Sequence, residues 1–140
     1  DEMIDLLSTT QDFDRKILQR LNYLKTAALI AFSCESGGIL GGASAKKCQV
    51  LKRFGFNLGL AFQIVDDILD IEGEERNLGK RVQKDKAIGK RNLVSIYGLK
   101  AAKAEAQELI EIANRELFES FGKRSLKLQS LANFILSRNY

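Results

Sequence analysis

The sequence predicts an all-α protein, and two observations carry the prediction. The 140 residues contain no proline, and 11 glycines punctuate the chain, a composition that disfavours a sandwich of short strands and tight turns. In the first quarter of the chain the apolar side chains recur at Ile17, Leu21, Leu24 and Ala28, which is the spacing of an amphipathic helix. No internal repeat or low-complexity linker divides the sequence, so we expect helices joined by loops.

The elements follow in order along the chain. The first helix is expected over residues 13–33, and the glycine pairs at 37–38 and 41–42 end it and permit a tight reversal or the close packing of a neighbour. Residues 43–71 predict one long helix whose second half is apolar nearly all round and is therefore buried. Residues 73–90 are rich in charged side chains and indicate a loop. Three further helices are expected over residues 92–98, 99–121 and 126–138.

Composition excludes several classes of function. The chain has no histidine, which rules out a Ser-His-Asp or Cys-His catalytic centre and an imidazole zinc site. Cys34 and Cys48 lack ligand-like spacing, so we interpret them as small core residues of a protein from a reducing, cytoplasmic compartment. The net charge of +4 comes without the interleaved aromatic residues of a nucleic-acid surface. We expect no membrane span and no signal peptide, and a chain that starts, at Asp1, partway through a longer protein.

A cluster of carboxylates is the strongest chemical signal. Gln63, Asp66, Asp67 and Asp70 follow the spacing i, i+3, i+4, i+7, so they share one face of the long helix, and every residue between them is apolar. Carboxylates so close together repel one another and persist when cations or metal ions pair with them. Oxygen ligands without histidine or cysteine favour Mg²⁺, with Mn²⁺ as a substitute, and the glycine position does not fit a calcium loop. The alternative is a solvated acidic face.

Basic side chains could face this cluster. Lys25 emerges from an apolar stripe of the first helix beside Thr26, so it either finds an anion or extends to the surface. The loop after the long helix, together with Arg91 directly after it, carries seven lysines and arginines, which by default form a solvated surface. Because this loop leaves the helix about one turn after Asp70, one or two of them could reach back to an anion held at the carboxylates. Carboxylates, metal and lysines together describe a diphosphate site. The seven basic residues are Arg76, Lys80, Arg81, Lys84, Lys86, Lys90 and Arg91.

Several motifs resemble one family in order and in spacing. Residues 59–70, with Phe62-Gln63 before the aspartates, resemble the second aspartate-rich motif of the trans-isoprenyl diphosphate synthases (polyprenyl synthetases), of the bacterial farnesyl and geranylgeranyl diphosphate synthase type. Lys25-Thr26 resembles an earlier Lys-Thr pair of that family. Residues 78–80 and 85–90 resemble its glycine-lysine signatures, and the similarity extends to the C-terminus, so it covers essentially the whole chain.

The resemblance implies an isoprenoid-synthase helical bundle. It also implies a Mg²⁺-dependent prenyltransferase that condenses an allylic diphosphate head-to-tail with isopentenyl diphosphate. By the same resemblance, Asp66 is the principal metal ligand, and Asp67 and Asp70 support it directly or through water. Lys25 and Lys80 would hold the allylic diphosphate, and Thr26 and Gln63 would orient the substrate. Phe62 and Lys90 complete the implied substrate contacts.

The chain also departs from the family pattern. Tyr23 and Ala27 replace residues usual around the Lys-Thr pair, and residues 91–94 blur the end of the last signature. No first aspartate-rich motif occurs, so residues 1–140 are interpreted as the C-terminal half of a synthase domain. We expect this half to be inactive alone and to form a homodimer or to associate with the missing N-terminal half. The alternatives are a non-catalytic helical subunit or interaction module of the same fold and, less favoured by the motifs, a terpene cyclase.

Overall fold

Four α-helices and two short helical turns make up the described structure. The computed structural model describes residues 23–78, 94 and 98–138. The prediction of an all-α fold is confirmed. In chain order the elements are a π-helical turn (Tyr23–Ala27), α1 (Ala28–Leu40), α2 (Ala45–Leu78), α3 (Leu99–Phe121), a 3₁₀ turn (Gly122–Ser125) and α4 (Leu126–Leu136).

The long helix α2 is the centre of the packing. With 34 residues it is about 50 Å long, and it packs against α1, α3 and α4. Its apolar stripe is buried against an alanine-rich stripe of α3, whose small side chains allow the two helix axes to approach closely. The core residues include Phe54, Leu58, Ala61, Ile64 and Ile68 from α2, Ala102, Ala106, Ile110, Ala113 and Leu117 from α3, and Ala132 and Ile135 from α4.

The sequence predicts that the first glycine pair helps to end the first helix, and this prediction is wrong. Helix α1 continues through this pair to Leu40 and ends at the second pair, where Gly42 has a φ of +70°. Within α1, Gly38 is buried, and a Cβ atom there would lie 2.6 Å from the Leu51 side chain. The first pair therefore serves close packing against α2. The predicted start of this helix, at residues 13–22, lies outside the described residues.

The boundary predicted at Gly73 is also wrong, because α2 continues to Leu78. A glycine inside a helix costs about 1 kcal/mol relative to alanine, which tertiary packing on either side readily offsets. Helix α3 has the predicted bounds, while α4 ends at Leu136, two residues before the predicted end. The rest of the predicted loop, at residues 79–90, lies outside the described residues. Of the short helix predicted over 92–98, Val94 is helical and buried, and Gly98 lies outside any helix.

Two glycines of α2 bring the first segment into close contact. A Cβ atom on Gly55 would lie 2.7 Å from the backbone oxygen of Ile30, and one on Gly59 would lie 2.4 Å from the Cα atom of Ala27. Only glycine allows the two backbones to meet at this distance. The contact sets the π-helical turn directly against the stretch of α2 that begins the acidic face.

The two cysteines lie at least partly in the interior, as expected of small core residues. Cys34 and Cys48 are both free thiols, half-buried and buried respectively, and burial raises the pKa of the Cys34 thiol.

None of the helices in the described ranges combines the length and the apolar character needed to cross a bilayer.

Candidate functional site

The Lys25-Thr26 pair lies on the π-helical turn, which packs against α2. Single π-helical turns insert an extra residue into a helix and are frequent at functional sites. Here the turn places the Thr26 hydroxyl against Gln63, whose Nε2 donates a hydrogen bond of 2.7 Å to Thr26 Oγ1 across 37 residues of sequence. Both side chains are half-buried, whereas Lys25 is exposed. The structure thus brings together two of the predicted site segments.

The acidic face of α2 continues from Gln63 towards the end of the helix. Asp66 and Asp67 are half-buried, and Asp70 is exposed. The apolar residues around this cluster predict a buried position, and the structure corrects that prediction: the Asp66 side chain is 36% exposed. Solvent therefore reaches the carboxylates and screens part of their mutual repulsion.

The donor set fits a hard divalent cation, because carboxylate oxygens suit Mg²⁺ and no histidine or thiolate is close by to favour a softer metal. Within the described ranges, no three acidic, cysteine or histidine side chains converge on one metal position. A metal ion here would take one or two carboxylates from α2 and complete its shell with water and phosphate oxygens, as Mg²⁺ usually does.

Arg138 lies at the site but is not among the residues that the sequence predicts there. Its Nη1 atom donates a hydrogen bond of 2.8 Å to Asp66 Oδ1, and its guanidinium lies 4.7 Å from the centre of the Phe62 ring. The two residues of the ion pair are 72 positions apart. The available signal was a lone arginine just beyond the last apolar residue of α4, which does not identify its partner. Phe62, a predicted substrate contact, therefore has one ring face against Arg138.

A cavity of about 270 Å³ adjoins this ion pair between α2, α3 and the end of α4. On its wall, Lys103 donates a hydrogen bond of 2.6 Å to Glu72 Oε1. The cavity has both polar and apolar walls, formed by Val65, Ile68, Leu69, Glu72, Lys103, Ala106, Gln107, Leu136 and Arg138. Of the other predicted substrate residues, Lys80 and Lys90 lie outside the described residues.

Comparison with known proteins assigns the family. The family model described as polyprenyl synthetase matches residues 1–125. A dimethylallyltranstransferase of Fischerella ambigua is 37% identical over 130 residues, which cover 93% of this chain and 37% of that protein. The farnesyl diphosphate synthase of Escherichia coli is 33% identical over 142 residues, which cover 99% of this chain and 47% of that protein.

A comparison with a solved structure supports the same family assignment. The crystal structure of an FPP/GFPP synthase from Zymomonas mobilis superposes with a TM-score of 0.76 at 34% identity, covering 96% of this chain and 43% of that one. The chain thus spans less than half the length of these relatives. The matches in sequence and in fold agree, and the chain belongs to the polyprenyl synthetase family.

Proposed function

We propose that this chain supplies the second acidic motif of a prenyltransferase that condenses an allylic diphosphate with isopentenyl diphosphate. The observation that carries the proposal is the arrangement on α2, where the acidic face begins one turn after the hydrogen bond between Gln63 and Thr26. A diphosphate bound there through metal ions would lie near the turn that bears Lys25. Relatives named farnesyl and geranylgeranyl diphosphate synthases support the same activity.

Each residue has a distinct task in the proposed reaction. Asp66 binds the metal, and Asp67 and Asp70 assist directly or through water. Divalent ions, when bound, neutralise the charge that develops on the leaving diphosphate. Lys25 contributes a positive charge that attracts the allylic diphosphate. The hydrogen bond between Gln63 and Thr26 holds both side chains in position, where they orient the substrate.

The proposed activity requires more than this chain. We propose that residues 1–140 form the C-terminal half of a cytoplasmic synthase domain, are inactive alone and associate with the complementary half or with a second copy. Large apolar side chains of α1 are exposed, with Phe32 at 66% and Leu40 at 88%. Exposed apolar surface of this kind favours association with a partner.

The test combines an activity assay with a measurement of association. Labelled isopentenyl diphosphate and an allylic diphosphate are supplied with Mg²⁺ or Mn²⁺ to the chain alone and to a form that carries both acidic motifs. We expect labelled product only from the second form, and light scattering should show that the chain alone is associated. A fully active monomer of the short chain would contradict the incomplete-site proposal. A well-folded complete form without product would favour the non-catalytic subunit.

Lys80→Ala is expected to weaken binding of the allylic substrate and to slow its ionisation. Removing one partner of a desolvated charge pair costs about 2–4 kcal/mol, and Lys80 is the lysine that the glycine-lysine signature assigns to the diphosphate. Steady-state kinetics at varied allylic substrate concentration, in a form that carries both acidic motifs, measure the effect. Lys84→Ala removes the same charge outside the signature and should have a much smaller effect. Equal losses in both variants would show that the lysines act only through their summed charge.

A further inference from the structure

The ion pair between Arg138 and Asp66 joins the end of the chain to the proposed metal site. Arg138 lies two residues after the end of α4, and the packing of Ile135 in the core brings the end of that helix over α2. The guanidinium contacts the carboxylate of Asp66 at 2.8 Å and lies 4.7 Å from the centre of the Phe62 ring. Its side chain is 21% exposed, less than that of its partner. The hydrogen bond and the cation–π contact together hold the guanidinium more firmly than a single exposed ion pair would.

We propose that Arg138 is the counter-cation of Asp66 in the metal-free protein and that a divalent cation binding at Asp66 displaces it. The inference rests on the proposed function, which makes Asp66 a metal ligand. Binding of metal at α2 would thereby break the ion pair between Asp66 and Arg138.

The two cations compete because they need the same carboxylate. Magnesium binds carboxylate oxygens at about 2.0–2.1 Å, and Arg138 Nη1 already donates a hydrogen bond of 2.8 Å to Asp66 Oδ1. An ion on that carboxylate would lie within a few ångströms of the guanidinium, and the two positive charges would repel each other in a partly desolvated place. The ion therefore binds most tightly when the guanidinium has moved away.

The structure offers the displaced side chain a place to go. The cavity of about 270 Å³ has Arg138 in its wall, together with Glu72. The Glu72 carboxylate already accepts a hydrogen bond from Lys103 at 2.6 Å, and a carboxylate has further lone pairs for a second donor. Movement of the guanidinium into this cavity would also free the face of the Phe62 ring, a residue assigned to substrate contact by resemblance.

A titration with Mn²⁺ tests the proposal without measuring catalysis. Free Mn²⁺ is followed by electron paramagnetic resonance as it binds the intact protein, without substrates, in the wild type and in three variants. We expect Arg138→Gln to bind Mn²⁺ about three- to tenfold more tightly and Asp66→Asn to lose the site. Arg124→Gln is the matched control, because Arg124 is exposed on the 3₁₀ turn at the opposite end of α4.

The outcomes separate the two proposals. If Asp66→Asn loses Mn²⁺ and Arg138→Gln binds it no more tightly than the wild type, the competition is wrong while the metal site stands. If Asp66→Asn binds like the wild type, the metal ligand is wrongly assigned and the competition fails with it. An equal gain in Mn²⁺ affinity in Arg124→Gln would show that the effect comes from net charge alone, and it would overturn the proposed competition between Arg138 and the metal.

Discussion

Asp66→Ala is expected to lower prenyltransferase turnover by about three orders of magnitude or more in a form that carries both acidic motifs. The variant loses the carboxylate proposed to bind the metal, and with it the stabilisation of charge on the leaving diphosphate. Thermal unfolding should change little, because the Asp66 side chain is 36% exposed and partly exposed ion pairs contribute about 1 kcal/mol or less. The assay is incorporation of labelled isopentenyl diphosphate, with circular dichroism for the fold.

Glu119→Ala is the matched control for the loss of an acidic side chain. Glu119 is exposed on α3, away from the acidic face, and its removal should leave turnover within about twofold of the wild type. Near-wild-type turnover of a folded Asp66→Ala would rule out Asp66 as the principal metal ligand. A parallel loss in Glu119→Ala would show that turnover depends on overall charge.

The helices that the sequence predicts best are those with strong amphipathic patterns and glycine at both ends. Helix α3 has its predicted bounds, and both flanking glycines, Gly98 and Gly122, adopt positive φ values of +87° and +56°. At such backbone angles other residues are strained, so the sequence signal is specific. Gly37 and Gly73 adopt no such angle and continue their helices, since the cost of one helical glycine is small beside tertiary packing. In these helices, a glycine therefore marks a helix boundary only where the backbone adopts a positive φ.

For the candidate site, the sequence predicts the residues that are neighbours on one helix better than the contacts between separate elements. The acidic face follows from helical spacing within one element, so Gln63, Asp66 and Asp70 could be grouped from sequence. The contact between Gln63 and Thr26 could be anticipated only from the resemblance, because it depends on how α2 packs against the preceding turn. Arg138 was missed because its partner is 72 residues away. No pattern within α4 specifies which surface of α2 the end of that helix reaches.

Gly59→Ala is expected to destabilise the protein by about 1–3 kcal/mol, although alanine is the better helix former. The added methyl group would lie 2.4 Å from the Cα atom and 2.8 Å from the Cβ atom of Ala27. Because the closest atom belongs to the backbone, no rotamer change relieves the clash, and the turn bearing Thr26 must move away from α2. The gain in helix propensity, about 1 kcal/mol, is too small to compensate. Chemical denaturation measures the loss.

Gly73→Ala separates the clash from helix propensity. Gly73 lies in the same helix, and nothing is within 4 Å of a Cβ atom added there, so this variant should gain up to about 1 kcal/mol of stability. Opposite signs for the two substitutions would confirm that α2 and the π-helical turn are held at a distance only glycine allows. Because displacement of the turn separates Thr26 from Gln63, Gly59→Ala should also raise the KM for the allylic substrate in a form that carries both acidic motifs. Stabilisation by both substitutions would mean that the turn packs less closely on α2 than the structure shows.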